Sequence, residues 1–468
     1  MTQTHDHLKV QRLKVKDQDR RPRAEVPALC LLPLALCLLT SAYSLPLYRD
    51  SLPNGLVVLT YEDSRLPMAY LAVVCRSGAA TDPLGKAGRA SLAGDVMTRG
   101  TTTMSGDSVS SIVEFLGAAF YSVTDFDFTY LVLGLLSKDL VQGLDVIADA
   151  ALHPSFDSAE VARLRNQALD NARMTMDSPM DVVDMELNRL LFPGHPYGSP
   201  TIGDTVTIPH LTRADLAEYH TTNFLPNNCF VVGVGNLMRD DLLAKVKARF
   251  GDWQPAPVTG PTVPVVPTPA GPRVKLIIRS DMNQTYVALG HLGIAMNDSD
   301  MMATRLAAHV LGGSPIDSRL GLAVREEGGL AYDVRCSFDR RKLTGAFRAS
   351  VQTAKPAVAI EKMLREVRVM RDSGAKAAEL DDAKGYFTGS FPLSYSSCNG
   401  KAQRMGELEV YRFGTDWLDK FPDQVRAVTL EAANEAARNH LHPDQLVMVV
   451  MGNVTKEGLG LTDVEWIE

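Results

Sequence analysis

The 468-residue sequence has only six cysteines and three tryptophans, and it contains no C-x-x-C pair. Cys30 and Cys37 fall in the first 44 residues, and Cys75, Cys229, Cys336 and Cys398 are widely spaced. That pattern argues against a disulfide scaffold or a thiolate metal site, and for small buried apolar side chains. Neither charge sign dominates: 48 Lys and Arg are interspersed with 55 Asp and Glu, for a formal net charge of -7. Nucleic acid and acidic lipid are therefore not expected partners. No G-x-S-x-G motif is present, which sets aside an independent serine hydrolase. The apolar run Val26 to Leu39 holds about 14 residues, short of the roughly 20 a membrane-spanning helix needs. Stable membrane insertion is not expected.

That run does have the grammar of an export signal. A polar segment with Arg20, Arg21 and Arg23 precedes it, and Ala42-Tyr43-Ser44 follows, so residues 1–44 read as a leader cleaved after Ser44. A retained anchor is the alternative. The remaining chain, in a sequence 45% hydrophobic, is too long for one ordinary core. Seven prolines between Pro255 and Pro272, almost without charge, mark a linker able to span about 55 Å if extended. It separates domains at 45–254 and 273–468.

The two parts look alike. Pro226 to Asn236 and Pro443 to Asn453 are matching apolar strands that end in a glycine turn, and Arg99-Gly100-Thr101 aligns with Gly312-Gly313-Ser314. Duplication explains both. Strand patterns at Leu56 to Tyr61, Tyr70 to Cys75 and Phe126 to Leu136 alternate with helical patterns such as Ser158 to Met176 and Ala357 to Arg371. Long helical stretches between groups of strands favour an α+β fold, two homologous domains each a mainly antiparallel sheet layered with helices.

Ala90 to Met97 reads as a helix placing Ser91, Gly94 and Asp95 on one face by their i, i+3, i+4 spacing. In an H-x-x-E-H helix those positions carry two zinc-binding histidines and the glutamate that activates water. Further stretches are Leu52-Pro53-Asn54-Gly55-Leu56, Ala172 to Pro179, Gly194-His195-Pro196-Tyr197-Gly198 with Gly203, and Arg325 to Tyr332. In this order they make the chain resemble the insulinase/pitrilysin family of zinc peptidases, in its small bacterial two-domain form. The resemblance implies a clam-like chamber between the domains and, with the leader, export to a bacterial periplasm.

It also implies a fourth site position, a zinc-binding glutamate on the helix ahead of Pro179, which falls on Asn171. Ser91, Gly94, Asp95 and Asn171 make a degenerate zinc site: hydroxyl and carboxamide are poor zinc ligands, and glycine cannot take a proton. No metal or other cofactor is expected in this chain. The resemblance assigns Arg325 and Tyr332 as donors to the substrate backbone and oxyanion, although from the residues alone Arg325 near a helix end and Gly328-Gly329 before a strand are an ordinary helix stop. It further implies an edge strand at Ala119, Phe120, Tyr121 and Ser122 that holds extended peptide, where the residues alone equally suit a half-buried strand.

The expectation is a zinc-less subunit that completes the cleft of a zinc-bearing homologous partner acting on peptides. A stand-alone peptide-binding or assembly protein, such as a homodimer, is the second reading. His195 reads as a turn residue, and the His440/His442 and His5/His7 pairs as no metal site. Asp125 and Asp127 alternate along a strand and read as a solvated face.

Overall fold

Two six-stranded mixed sheets, each backed by helices, form the molecule; this computed structural model describes residues 47–258, 260 and 264–467. The leader and Ala42 to Ser44 lie outside those residues. The first half contributes β1 (Leu47–Ser51), β2 (Val57–Glu62), β3 (Met68–Cys75), α1 (Arg89–Met97), α2 (Gly106–Phe115), β4 (Ala119–Thr124), β5 (Thr129–Leu136), α3 (Leu140–Leu152), α4 (Ser158–Met176), α5 (Pro179–Leu191), α6 (Arg213–Asn223), β6 (Cys229–Gly235) and α7 (Arg239–Phe250). The second contributes β7 (Arg273–Ile278), β8 (Thr285–Leu292), α8 (Met301–Gly312), β9 (Ala331–Phe338), β10 (Ala346–Thr353), α9 (Pro356–Ser373), α10 (Ala377–Ser390), α11 (Cys398–Tyr411), α12 (Trp417–Ala427), α13 (Leu430–His440), β11 (Val447–Gly452), α14 (Lys456–Leu459) and β12 (Glu465–Ile467).

Strand order is β1-β2-β6-β3-β5-β4 in one sheet and β12-β7-β11-β8-β10-β9 in the other. The two matching apolar runs become β6 and β11, each flanked on both sides and buried at every residue, which is why both read as unbroken apolar stretches. Both pair in parallel with an early strand of their half, β2 or β7, while the remaining inner pairs are antiparallel. The α+β, two-domain architecture therefore stands as expected.

One face of each sheet packs on helices of its own half, with Ala93, Val96, Leu144 and Leu216 under the first sheet and Leu306, Leu311, Ile360 and Met363 under the second. The other faces are exchanged. Ala402, Met405 and Tyr411 of α11 pack on Val57, Leu59, Val74 and Val232 of the first sheet, and Val183, Leu187 and Leu191 of α5 pack on Ala288, Val447 and Val449 of the second. Each buried Val, Leu or Met side chain there contributes roughly 1.5–3 kcal/mol by leaving water, so the halves hold one another.

Charged hydrogen bonds cross the same seam, two of them part-buried. Lys401 Nζ donates to Asp63 at 2.8 Å, and Arg49 and Arg76 both donate to Glu409, at 2.9 and 2.6 Å. Asp127 corrects an expectation. The backbone turns at Asp125 to Phe128 before β5 begins, and Asp127 is buried, accepting from Tyr197 Oη at 2.6 Å and from the Lys342 backbone N–H at 2.7 Å. The solvated-face reading holds for the exposed Asp125 and fails for Asp127, because strand alternation does not extend into a turn. His195 does sit in its turn, its Nδ1 accepting from the Tyr197 backbone N–H.

The cysteine expectation holds for three residues: Cys75, Cys229 and Cys336 are buried, and Cys398 partly so. No helix among the described residues is long and apolar enough to cross a membrane.

Candidate functional site

Helix α1 is fixed before any chemistry is considered. Gly88, at φ 89°, makes the left-handed turn into the helix, where an added Cβ would lie 2.8 Å from the Ile202 carbonyl oxygen. The buried Asp82 carboxylate accepts from the Gly88 and Ala90 backbone N–H groups at 3.1 and 3.0 Å, doing the work of an N-cap from outside the helix. Burial pushes its carboxyl up to about 7, against the pull of Arg89 3.5 Å away.

That placement aims one face of α1 at α4 and β4. Helix α4 starts from the Asp157 side chain, which accepts from the Ala159 and Glu160 N–H groups, and runs through Gln167 and Asn171, neighbours on one face at i, i+4. Strand β4 is the outermost strand of its sheet, as expected. Its side chains alternate: Ser122 meets α1, while Tyr121 points to the opposite face and shares a 2.6 Å hydrogen bond with the Tyr70 hydroxyl.

Together these elements enclose a cavity of about 200 Å³ lined by Ser91, Asp95, Tyr121, Ser122, Gln167 and Asn171, with Thr98 and Arg99 at the end of α1. The sequence-predicted positions 91, 95, 121, 122 and 171 thus meet in one place. Gly94 lies behind them, packed so closely that an added Cβ would sit 3.2 Å from Ser122 Oγ and Thr129 Cγ2. Ser122 Oγ donates to Asp95 Oδ1 at 2.5 Å. Burial raises the Asp95 carboxyl above its ordinary value, opposed by that hydrogen bond and by the Arg99 charge.

These residues do not fit zinc. A catalytic zinc takes three protein ligands and an open position, but this cavity presents one carboxylate with an oxygen already bonded, a hydroxyl and carboxamides. The only charged acceptor in the lining is Asp95.

Arg325 and Tyr332 lie in the second half and do not line this cavity. Arg325 sits in a π-helical turn, Gly321–Glu326, with its guanidinium over the Tyr332 ring at 5.3 Å. Tyr332, near the start of the outermost strand β9, is 86% exposed. The two are adjacent, with Tyr332 open to solvent and Arg325 half-buried beside Pro315 and Glu326.

Sequence reasoning missed Gln167, Thr98 and Arg99, though Gln167 stands four residues before Asn171 on one helical face. It also missed larger cavities elsewhere. One, of about 740 Å³, lies at the seam among Arg49, Arg76, Lys342, Glu409 and Arg412; another, of about 930 Å³, is lined by Met301, Arg305, Phe413 and Trp417. Neither contains the residues at which the sequence motifs converge.

Residues 57–205 match the family model described as insulinase (peptidase family M16), and residues 210–386 match its peptidase M16 inactive domain. A protein named "uncharacterized zinc protease" from Mycobacterium bovis is 28% identical over 406 residues, 84% of this chain and 90% of its own. One from Bacillus subtilis with the same description is 26% identical over 355 residues, 75% of this chain and 85% of its own. Among solved structures, a peptidase M16 inactive domain from Pseudomonas fluorescens superposes with a TM-score of 0.81 at 26% identity, covering 88% of this chain and 98% of that one. A protease from Helicobacter pylori, at 19% identity and a TM-score of 0.80, shares the fold over 87% of this chain and 99% of its own.

Proposed function

The chain belongs to the insulinase family of peptidases, peptidase family M16, and from that membership we propose that it is the subunit without zinc in a two-subunit metallopeptidase. A zinc-bearing homologous partner supplies the metal, and this chain supplies substrate-holding surface and the donors Arg325 and Tyr332. The observation that carries the reading is a mismatch within one molecule. The position where the family holds zinc presents Ser91, Gly94, Asp95 and Asn171, while Arg325 and Tyr332 keep two strong hydrogen-bond donors at an exposed edge.

A guanidinium and a phenol can both donate to an oxygen gaining negative charge as a peptide carbonyl is attacked. In this chain they do not line the degenerate cavity and stand beside the outermost strand β9, where they would serve a cleft completed by another subunit. Residues 1–44 are proposed to direct export to the periplasm and to be removed, leaving Leu45 as the mature amino terminus.

The test is hydrolysis of a quenched fluorescent peptide library by the mature chain alone, by its zinc-bearing relative alone, and by both at one to one, with zinc quantified in each. Turnover in the mixture above that of the relative supports the proposal; turnover by this chain alone overturns it. The open edge of β4 beside a polar cavity favours a second reading, a stand-alone peptide-binding protein. Peptide binding without hydrolysis in any mixture would select it.

A further inference from the structure

The cavity beside β4 has stayed polar. Its negative charge comes from Asp95, half-buried on the inner wall, while Arg99 lies one turn further along α1 and is exposed at the rim. Ser122, held by the strand, fixes one Asp95 oxygen with a 2.5 Å hydrogen bond and thereby sets the orientation of the carboxylate. Around it Ser91, Gln167 and Asn171 offer a hydroxyl and two amide oxygens, and these three side chains make no hydrogen bond to another described residue.

On the inner wall one negative charge stands among neutral oxygen acceptors, with the Arg99 guanidinium exposed at the rim, a set too poor for zinc and suited to a primary ammonium. That group brings one positive charge, three N–H donors and no acceptor. Hydrogen bonds to a charged group are roughly twice as strong as those between neutral groups. The cavity, about 200 Å³, is lined in part by Tyr121 and Ser122 of the outermost strand. An extended peptide added to that edge has its backbone paired by β4 and an end or a side chain at the cavity.

We infer that this cavity takes the primary ammonium of a peptide lying along β4, with Asp95 as its counter-charge and Ser91, Gln167 and Asn171 as acceptors. The inference rests on the reading of the chain as a peptide-holding subunit and narrows the substrate to amine-presenting peptides. The amine has two sources, an α-amino terminus or a lysine side chain. Ser122 is a positioning residue acting through Asp95.

The test is fluorescence anisotropy of the mature chain with three peptides of one sequence, each labelled at its carboxyl end: one with a free amino terminus and no lysine, one acetylated without lysine, and one acetylated with a single lysine. At least one amine-bearing peptide is expected to bind about 10-fold or more tighter than the acetylated peptide lacking lysine, in keeping with a charged hydrogen-bond set. The tighter peptide identifies the source. Asp95→Asn is expected to abolish that difference while leaving the affinity for the acetylated, lysine-free peptide and the melting temperature unchanged. Asn171→Leu, at an exposed position, is expected to weaken the amine peptide selectively.

Equal binding of all three peptides by the wild-type chain would overturn the ammonium site and leave peptide holding intact. An advantage for the amine that survives in Asp95→Asn overturns the role of Asp95. Binding of no peptide at all overturns the peptide-holding reading, and this inference with it.

Discussion

Helix α1 beneath β4 and helix α8 beneath β9 are the same piece of architecture built twice, and the two are packed differently. In the first half Ser91, Asp95 and Ser122 leave a cavity of about 200 Å³. In the second, Thr304, Ala307 and Ala308 are all buried, the Cys336 thiol reaches the Ala308 carbonyl at 3.3 Å, and His309 stacks on Tyr386 of α10 at 4.4 Å. Close packing with aromatic contacts is what a helix–sheet interface adopts when nothing has to enter it. The first half has lost the residues for zinc without adopting that packing. A hydrogen-bonded Asp95 and Ser122, rather than a collapsed apolar contact, line the space.

The widest separation between the halves is expected in the packing of the two helices. Leu306→Ala, in a fully buried side chain of α8, is expected to cost about 2–5 kcal/mol, whereas Ser91→Ala, lining the cavity, is expected to stay within about 0.5 kcal/mol. Chemical denaturation measures both, and equal losses would mean the cavity is as tightly packed as its counterpart.

The next effect separates stability from activity. In a reconstituted complex, Arg325→Ala and Tyr332→Phe are each expected to lower kcat about 100-fold, as loss of an oxyanion donor does, with denaturation midpoints unchanged. Full turnover by both variants would remove the donor assignment and leave the second half a purely structural duplicate.

Glycines sharpen the comparison further. A Cβ at Gly312 would lie 2.7 Å from Cys336 Sγ and 2.8 Å from its backbone nitrogen, but at Gly94 the nearest atoms are 3.2 Å away. Gly312→Ala is therefore expected to cost about 1–3 kcal/mol by overpacking, and Gly94→Ala distinctly less. Thermal melts of the two variants side by side decide this.

The smallest expected effect concerns the seam that both halves share. Burial raises the Asp127 carboxyl above its ordinary value, so the folded chain holds that proton to higher pH than the unfolded chain. Its contribution is present at low pH and declines as pH rises from about 4 through the folded-state value. Asp127→Asn, which cannot titrate, is expected to lose that decline. An unchanged slope of melting temperature against pH between about 4 and 6 would show that Asp127 does not titrate as burial dictates.

Much of this was legible in the chain. The helix read at Ser158 to Met176 is α4 residue for residue, the strand read at Ala119 to Thr124 is β4, and the matched runs are the central strands β6 and β11. The convergence of Ser91, Asp95 and Asn171 was legible only through family resemblance, since 76 residues separate the last two and no local periodicity spans them. The role of Asp127 was not legible, because its partners Tyr197 and Lys342 are distant in sequence and a buried carboxylate in a turn looks like an exposed one.

The sequence by itself determined the local periodicities, the glycine turns and the residue types at Ser91, Gly94 and Asp95, because each depends on side-chain identity over short spacings. Tertiary structure alone decided that α5 and α11 cross to cover each other's sheets. It also decided that Arg325 and Tyr332 meet at an open edge away from the degenerate cavity, and that this cavity remains polar while its counterpart is filled. Those outcomes depend on which distant surfaces bury one another, a choice set by the packing of the whole chain rather than by any local pattern.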